Sequence, residues 1–278
     1  MKTAILTDST SYISKEIREE LDIHMIPLQV IFKNESFKEE MELDSETFYR
    51  KTRAELPKTS QPPLGEFVNC FDDLAKRFDA VISIHLSSGI SGTCSGAMQA
   101  GQMVEGIDVL VFDSEVSCAM QGFYVIKAAK MAKAGESPER ILAELEGMKH
   151  SLRAYFMVDD LQHLQRGGRL SGAQALIGGM LQIKPVLHFD NKEIVPYEKI
   201  RTRKKAMNRI VELLKEDVAS GDAIQATLIH ANRPAEAAEW LIELEEKLPQ
   251  VDFGISYFGP VIGTHLGEGS MGIGWVKK

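Results

Sequence analysis

"AVISIHLSSGISGTCSGAMQA", residues 80–100, decides how this chain folds. It begins with "AVISIHL", an almost continuous apolar run rich in β-branched side chains. Such a run reads as a strand covered on both faces, the condition met inside a parallel sheet. The serines and glycines that follow close the strand, and "SSGISGTCSGAMQA" caps and starts a helix. Strand, tight turn and helix together make one βα unit.

The same alternation extends to both sides. "TAILT" (3–7), "MIPLQVIF" (25–32) and "DVLVFDS" (108–114) are expected as further strands. Between them, "SYISKEIREEL", "SETFYRKTRAEL", "GEFVNCFDDLAKRF" and "SCAMQGFYVIKAAKMAKAG" carry helical spacing of apolar residues. Asp8, Ser45 and Ser137 stand at N-cap positions, and Pro138 suits a first helical turn. The fold class is α/β: residues 1–151 are expected to form a doubly wound, mostly parallel sheet.

From residue 152 the pattern changes. "RAYFMVD", "IKPVLHFD", "EIVPYEKI", "IQATLIHA", "VDFGISYFG" and "GIGWVKK" are strand candidates. "VLHFDNKEIVPY" reads as a hairpin turning at "DNKE". "RTRKKAMNRIVELLKEDV" and "RPAEAAEWLIELEEKL" are helices expected on the outside of this sheet. Residues 152–278 are therefore expected to form a second α/β domain with a mixed sheet.

Bulk properties narrow the function. A chain of 278 residues divides comfortably into two modest cores, and 44% hydrophobic with 26% charged residues is ordinary globular composition. A net charge of -8 argues against a general nucleic-acid role, because no broad basic face is available for phosphates. The opening "MKTAILTDST" has too short an apolar run for a signal-peptide core. No window approaches the roughly 18 apolar residues of a membrane helix. Cys70, Cys94 and Cys118 are odd in number and lack metal-ligand spacing, which suits a reducing cytoplasm.

Five stretches carry candidate chemistry. Residues 89–93, "GISGT", nearly match the G-x-S-x-G nucleophile elbow, with Thr93 in place of the last glycine. His163, His188, His230 and His265 lie downstream, so a serine triad stays open at this level. The other reading is a helix N-terminus whose free N–H groups and hydroxyls attract a carboxylate or phosphate. In "PKTSQPPLGEF" (57–67), Pro57, Pro62 and Pro63 stiffen a loop that holds the Thr59 hydroxyl at a fixed place.

"GPVIGTHLGEGSMGIG" (259–274) contains a literal G-x-G-x-x-G from Gly267 to Gly272, but only six residues follow it. That leaves no room for the helix and acidic strand end of a dinucleotide site. The stretch reads as a glycine-rich loop allowing close backbone approach, with Thr264 and His265 inside it. "LQRGGRLSGAQALIGGMLQIKP" (164–185) sets Arg166 and Arg169 around a Gly-Gly turn ahead of an apolar helix. The two arginines read either as a solvated turn or as a docking patch for an acidic partner. "RTRKK" (201–205), with Arg201 and Arg203, is a basic cluster poorly placed for a helix N-terminus, a misfit that marks a surface kept for binding. Asp8 reads as a helix cap. No G-x-x-x-x-G-K-[ST] loop is present, so ATP use by this chain alone is not expected.

Taken together, "TDSTS", "KTSQPP", "LSSGISGT", "LQRGGR" followed by "IKPVL", and "GPVIGTHLGEG" closely resemble the DegV family of bacterial fatty-acid-binding proteins, along essentially the whole chain. The resemblance implies two α/β domains holding one long-chain fatty acid, such as palmitate, between them, with no cofactor or metal. It implies that Thr59 and Ser91 hold the carboxylate, with His265 in the same network and Ser60, Gly92, Thr93 and Thr264 as secondary positions. It further implies that Arg166 and Arg169 face a partner, and Arg201 and Arg203 join them as docking candidates from the basic-cluster misfit alone. That partner is an ATP-dependent fatty acid kinase subunit, to which the acyl carboxylate is presented for acyl phosphate formation.

The physics of such a ligand is consistent. Burying a methylene contributes about 0.8 kcal/mol, so a palmitoyl tail gains on the order of 10 kcal/mol before ordering costs. The carboxylate is the difficulty, since an unpaired buried charge is heavily penalised. Two hydroxyls and a helix N-terminus would solvate it while leaving one oxygen free to attack a γ-phosphate, which a tight arginine fork would not. A serine hydrolase of acyl esters using Ser91 and His265, and a lipid-responsive regulator without phosphorylation, are the alternatives.

Overall fold

The computed structural model describes residues 2–33, 35–171 and 183–278. Strands β1 (Thr3–Asp8), β2 (Ile23–Ile26), β3 (Gln29–Phe32), β4 (Glu35–Lys38), β5 (Lys58–Ser60), β6 (Ala80–His85) and β7 (Asp108–Asp113) make two sheets. The first is wholly parallel, in the order β2-β1-β6-β7. Every residue of β6 is buried, as a strand covered on both faces requires. The helices of this part are α1 (Lys15–Leu21), α2 (Ser45–Thr52), α3 (Leu64–Ala75), α4 (Thr93–Gly101), α5 (Ala119–Lys133) and α6 (Pro138–Lys149). α3 and α4 cover one face, packing Phe67, Phe71, Ala97 and Ala100 onto Ala4, Leu6 and Val81. α5 covers the other, bringing Val125 and Ala128 against Ile5, Ile82 and Ile84.

The remaining strands are β8 (Arg153–Met157), β9 (Val186–Asp190), β10 (Glu193–Glu198), β11 (Ile224–His230), β12 (Asp252–Tyr257) and β13 (Met271–Lys277), with helices α7 (Leu161–Gly167), α8 (Arg203–Val218), α9 (Pro234–Lys247) and α10 (Pro260–Leu266). They form a mixed sheet in the order β10-β9-β8-β13-β11-β12, antiparallel except for the β11–β12 pair. The expected hairpin is present, turning through Asn191 and Lys192 with φ of 47° and 73°. α8 and α9 cover the outer face, where Ile210, Leu214, Ala237 and Leu244 meet Met271, Ile273 and Trp275. The inner face turns toward α5, so one continuous core runs between the two sheets.

β13 shows why the inner face has room for anything else. Its side chains alternate, so Met271, Ile273 and Trp275 point outward while Gly272 and Gly274 take the inner positions. A Cβ on Gly272 would lie 2.7 Å from Phe156 Cβ and 2.8 Å from the Tyr155 carbonyl oxygen. Gly272→Ala is therefore expected to cost about 2 kcal/mol of stability, read as a lower urea midpoint, because backbone rather than a flexible side chain must give way. An unchanged midpoint would contradict this packing.

Four expectations need correction. Residues 25–32 are two strands, not one: Pro27 offers no N–H, so the chain leaves the parallel sheet after Ile26 and β3 joins a small antiparallel sheet, β4-β3-β5. Thr59 lies on β5, an edge strand paired to Val30, rather than in a loop; the prolines flank that strand without entering it. α2 is capped by Asp44, whose carboxylate accepts from the Thr47 N–H at 2.8 Å, and Ser45 is its first residue. "PVIGTHL" is helix α10 rather than loop, with Pro260 at its first turn. The apolar helix expected after Arg169 falls on residues 172–182, outside the described residues. Among the described residues no helix is long and apolar enough to cross a membrane.

Candidate functional site

β1 leads to its neighbour β2 on one side, while β6 leads through α4 to β7 on the other. The crevice beyond the carboxyl ends of β1 and β6 is thus a topological switch point, the usual ligand position in such sheets. Asp8 ends β1 there, fully buried. Its carboxylate accepts from the N–H of Thr10 and of Leu86, both at 3.0 Å, and lies 3.0 Å from His85 Nδ1. Burial pushes its acid up, but the His85, Thr10 and Leu86 hydrogen bonds more than offset this and hold it below the ordinary range. His85 Nε2 lies 2.6 Å from Ser83 Oγ, completing an Asp–His–Ser chain. All three residues are inaccessible to solvent, so the chain braces the switch point and reaches no substrate.

Beyond β6 the chain turns through Ser87–Gly92 into α4. Ser91 Oγ lies 2.8 Å from Thr93 Oγ1 and accepts the Thr93 N–H at 3.3 Å. β5 brings Thr59 alongside, and the Gln61 side chain lies against Gly92. α10 supplies His265, whose Nε2 is 2.8 Å from Thr59 Oγ1. Its Nδ1 is buried without a partner among the described residues and packs on Gly167, where a Cβ would overlap it. That contact explains one of the two glycines in "RGGR". Burial, then the Arg169 guanidinium, then His163, depress the His265 imidazole to about 4, so it is neutral at physiological pH.

Thr59, Ser60, Ser91, Gly92 and His265 all line one cavity of about 290 Å³ between α10, the α5 N-terminus and the inner face of the mixed sheet. Its remaining wall is largely apolar, including Met120, Phe156, Ile229, Phe258 and Ile262. Cys118 lies in this wall with φ 60°, and burial pushes its thiol far above the usual range, so it behaves as an apolar contact. A larger groove of about 710 Å³ is lined by Glu40, Asp44, Glu46, Arg50 and Arg53, a charged surface unsuited to an alkyl chain.

Two secondary positions are not cavity walls. Thr93 is buried and positions Ser91, while the Thr264 hydroxyl donates to the Pro260 carbonyl at 2.8 Å inside its own helix. The basic residues divide. Arg166 and Arg201 are exposed. Arg169, expected on a docking face, instead lines the cavity, donating from Nε to the Ile90 carbonyl at 3.1 Å and from Nη1 to the Gly167 carbonyl. Arg203 is committed to Asp159 at 2.9 Å and to Glu236 at 3.0 Å. Those carboxylates remove the electrostatic misfit at the α8 N-terminus.

The hydrolase geometry is not assembled. His265 pairs with Thr59 rather than Ser91, and among the described residues no carboxylate orients its other nitrogen. Sequence reasoning also missed Glu39, fully buried, which takes the Val261 N–H at 2.6 Å and the Tyr12 hydroxyl at 3.0 Å. With Tyr12 accepting the Ile262 N–H at 3.3 Å, these two side chains cap the helix that carries His265. No local signal marks so distant a cap.

Known proteins align with the whole chain. Residues 2–278 match the family described as "Uncharacterised protein, DegV family". Identity to Protein DegV of Bacillus subtilis is 62% over 281 residues, covering 100% of each. The crystal structure of DegV, a fatty acid binding protein from Bacillus subtilis, superposes with a TM-score of 0.95 at 62% identity over 100% of both chains. A fatty-acid-binding DegV family protein from Thermus thermophilus gives 0.91 at 30% identity, again over 100% of both chains. One from Streptococcus agalactiae gives 0.91 at 34% identity, over 100% of this chain and 99% of the other.

Proposed function

Because this chain belongs to the DegV family, we propose that it is a carrier that buries one long-chain fatty acid with the carboxylate at Thr59 and Ser91 and the tail in the apolar cavity. The observation that carries the reading is the convergence of three elements, β5, the α4 turn and α10, on one end of a cavity that is otherwise apolar. A carboxylate there needs donors. In the tautomer protonated at Nε2, neutral His265 donates to Thr59 Oγ1 and frees the threonine proton for the ligand. Ser91 and the α4 N-terminus supply the rest. Arg169 adds positive potential beside the site while its guanidinium is partly spent on backbone carbonyls, so it steadies the anion without gripping both oxygens.

In this reading residues 1–151 and 152–278 are two domains closing on the ligand. The carrier works in the cytoplasm with a separate ATP-dependent kinase that phosphorylates the presented carboxylate. Exposed Arg166 and Arg201 suit an acidic docking face on that kinase. Arg166→Glu with Arg201→Glu is expected to slow acyl phosphate formation about tenfold while fatty acid loading stays unchanged, measured with such a kinase and preloaded carrier. An equal rate would remove the docking assignment. The carrier reading itself is tested by native mass spectrometry of the purified chain: a one-to-one adduct of a C16 or C18 acid is expected. An empty protein that also failed to take up added acid would refute it.

A further inference from the structure

The cavity has a second end, and its chemistry differs from the first. β8 stays paired to β13 as far as Ala154 and Arg153. Its pairing with β9 stops at Tyr155–His188, although β9 continues beside β10 to Asp190. The two strands splay because the β9–β10 hairpin is drawn toward the parallel sheet. Ser87 Oγ donates to the Lys192 carbonyl at 2.6 Å, and Lys192 Nζ pairs with Asp113 at 3.0 Å.

At the splay lies a chamber of about 300 Å³ that shares Ala154, Tyr155 and Phe189 with the apolar cavity. Of these three shared residues Ala154 is the smallest, offering only a methyl group. The chamber's rim is polar: Lys149, Arg153 and His188 line it. Lys149 is already held by Glu115 and Glu146, both at 3.1 Å, so it brings no uncompensated charge. His188 is half-buried, stacks on Tyr155 and has no side-chain hydrogen bond among the described residues, leaving one ring nitrogen to donate and one to accept.

Strand direction places this chamber at the tail. α10 and the turn after it reach β13 at Met271, whereas Gly274, paired to Ala154, lies three residues further along, about 10 Å away. The carboxylate end and the splay are therefore at opposite ends of the strands.

We propose that the acyl cavity has a polar rear mouth between β8 and β9, and that the chain thereby accepts long-chain acids bearing a hydroxyl at or near the distal end as readily as plain ones. This inference rests on the carrier reading above. In a cavity sealed at the tail, a distal hydroxyl would lose its water without gaining a partner and would bind far more weakly. With an open polar mouth, the hydroxyl meets His188, Arg153 or solvent once the chain is long enough to pass Ala154.

The test compares affinities of plain and ω-hydroxy acids of about 12, 14, 16 and 18 carbons, a range bracketing the tail length assumed above, on the delipidated full chain. The penalty for the hydroxyl is expected to exceed about tenfold for the shortest acid and to fall below about threefold for the longest. Ala154→Leu is expected to restore the large penalty at every length. A penalty that stays above tenfold across the wild-type series would overturn the rear mouth, as would a small penalty already at the shortest length or an unchanged ratio in the folded Ala154 variant. Should that variant not fold, the wild-type series decides alone. Plain acids failing to bind at any length would instead remove the carrier reading, and this inference with it.

Discussion

Thr59→Ala is expected to weaken palmitate binding by roughly 100-fold, about 2.7 kcal/mol. Two losses add. The carboxylate gives up a charge-assisted hydrogen bond, which contributes about 1.5–3 kcal/mol in a desolvated site. His265 Nε2, now 2.8 Å from the threonine oxygen, is left facing an apolar methyl, and its other nitrogen already has no partner among the described residues. Ser91→Ala is expected to cost less, about tenfold, because the α4 N-terminus remains beside the anion. Thr59→Ser keeps the hydroxyl and should stay within about threefold of wild type. Calorimetric titration of delipidated protein decides: if Thr59→Ala binds palmitate as Thr59→Ser does, the carboxylate is held elsewhere.

The same residues show what was legible before the structure. The β6–α4 unit was readable because a strand buried on both faces has no polar alternation, and that single fact implied the parallel sheet. The hairpin at Asn191–Lys192 and the two outer helices followed from turn chemistry and periodicity. The small β4-β3-β5 sheet was not readable: β5 is three residues long, shorter than any period-2 pattern can register. α10 was hidden by its own composition, since two of the glycines in "GPVIGTHLG" mimic a loop while Gly263 is there to let Tyr49 and Phe48 approach. Thr59, Ser91 and His265 were recognisable as a set only through resemblance to a family. No spacing rule links residues drawn from an edge strand, a turn and a short helix. The inward role of Arg169 and the commitment of Arg203 to Asp159 and Glu236 depend on tertiary neighbours that lie far away in sequence.

Glu39→Ala is expected to destabilise the fold by about 3 kcal/mol, because the Val261 N–H and the Tyr12 hydroxyl lose a fully buried acceptor. Glu39→Gln keeps an acceptor in place and is expected to behave differently, in a way that pH exposes. Burial pushes the Glu39 acid up to about 8; Ser9, Val261 and Tyr12 pull it down, and the neighbouring Glu40 carboxylate pushes the same way as burial. The unfolded chain releases this proton near the ordinary 4.5, whereas the folded chain keeps it until about 8. Within that window the folded state holds the extra proton, so the Glu39 contribution is fully present at the acid end and is lost as pH rises. This runs opposite to the behaviour of a salt-bridged carboxylate such as Asp113, held low against burial by Ser88 and Lys192, whose contribution is lost as pH falls. A glutamine cannot titrate and resembles the protonated acid in shape and hydrogen bonding. The stability difference between wild type and Glu39→Gln should therefore shift in favour of the variant from pH 5 to pH 8, by a few kcal/mol. Urea unfolding at four pH values measures it. Parallel curves would mean that the folded chain carries Glu39 charged, and that the cap on the His265 helix is an ionised carboxylate rather than a neutral acid.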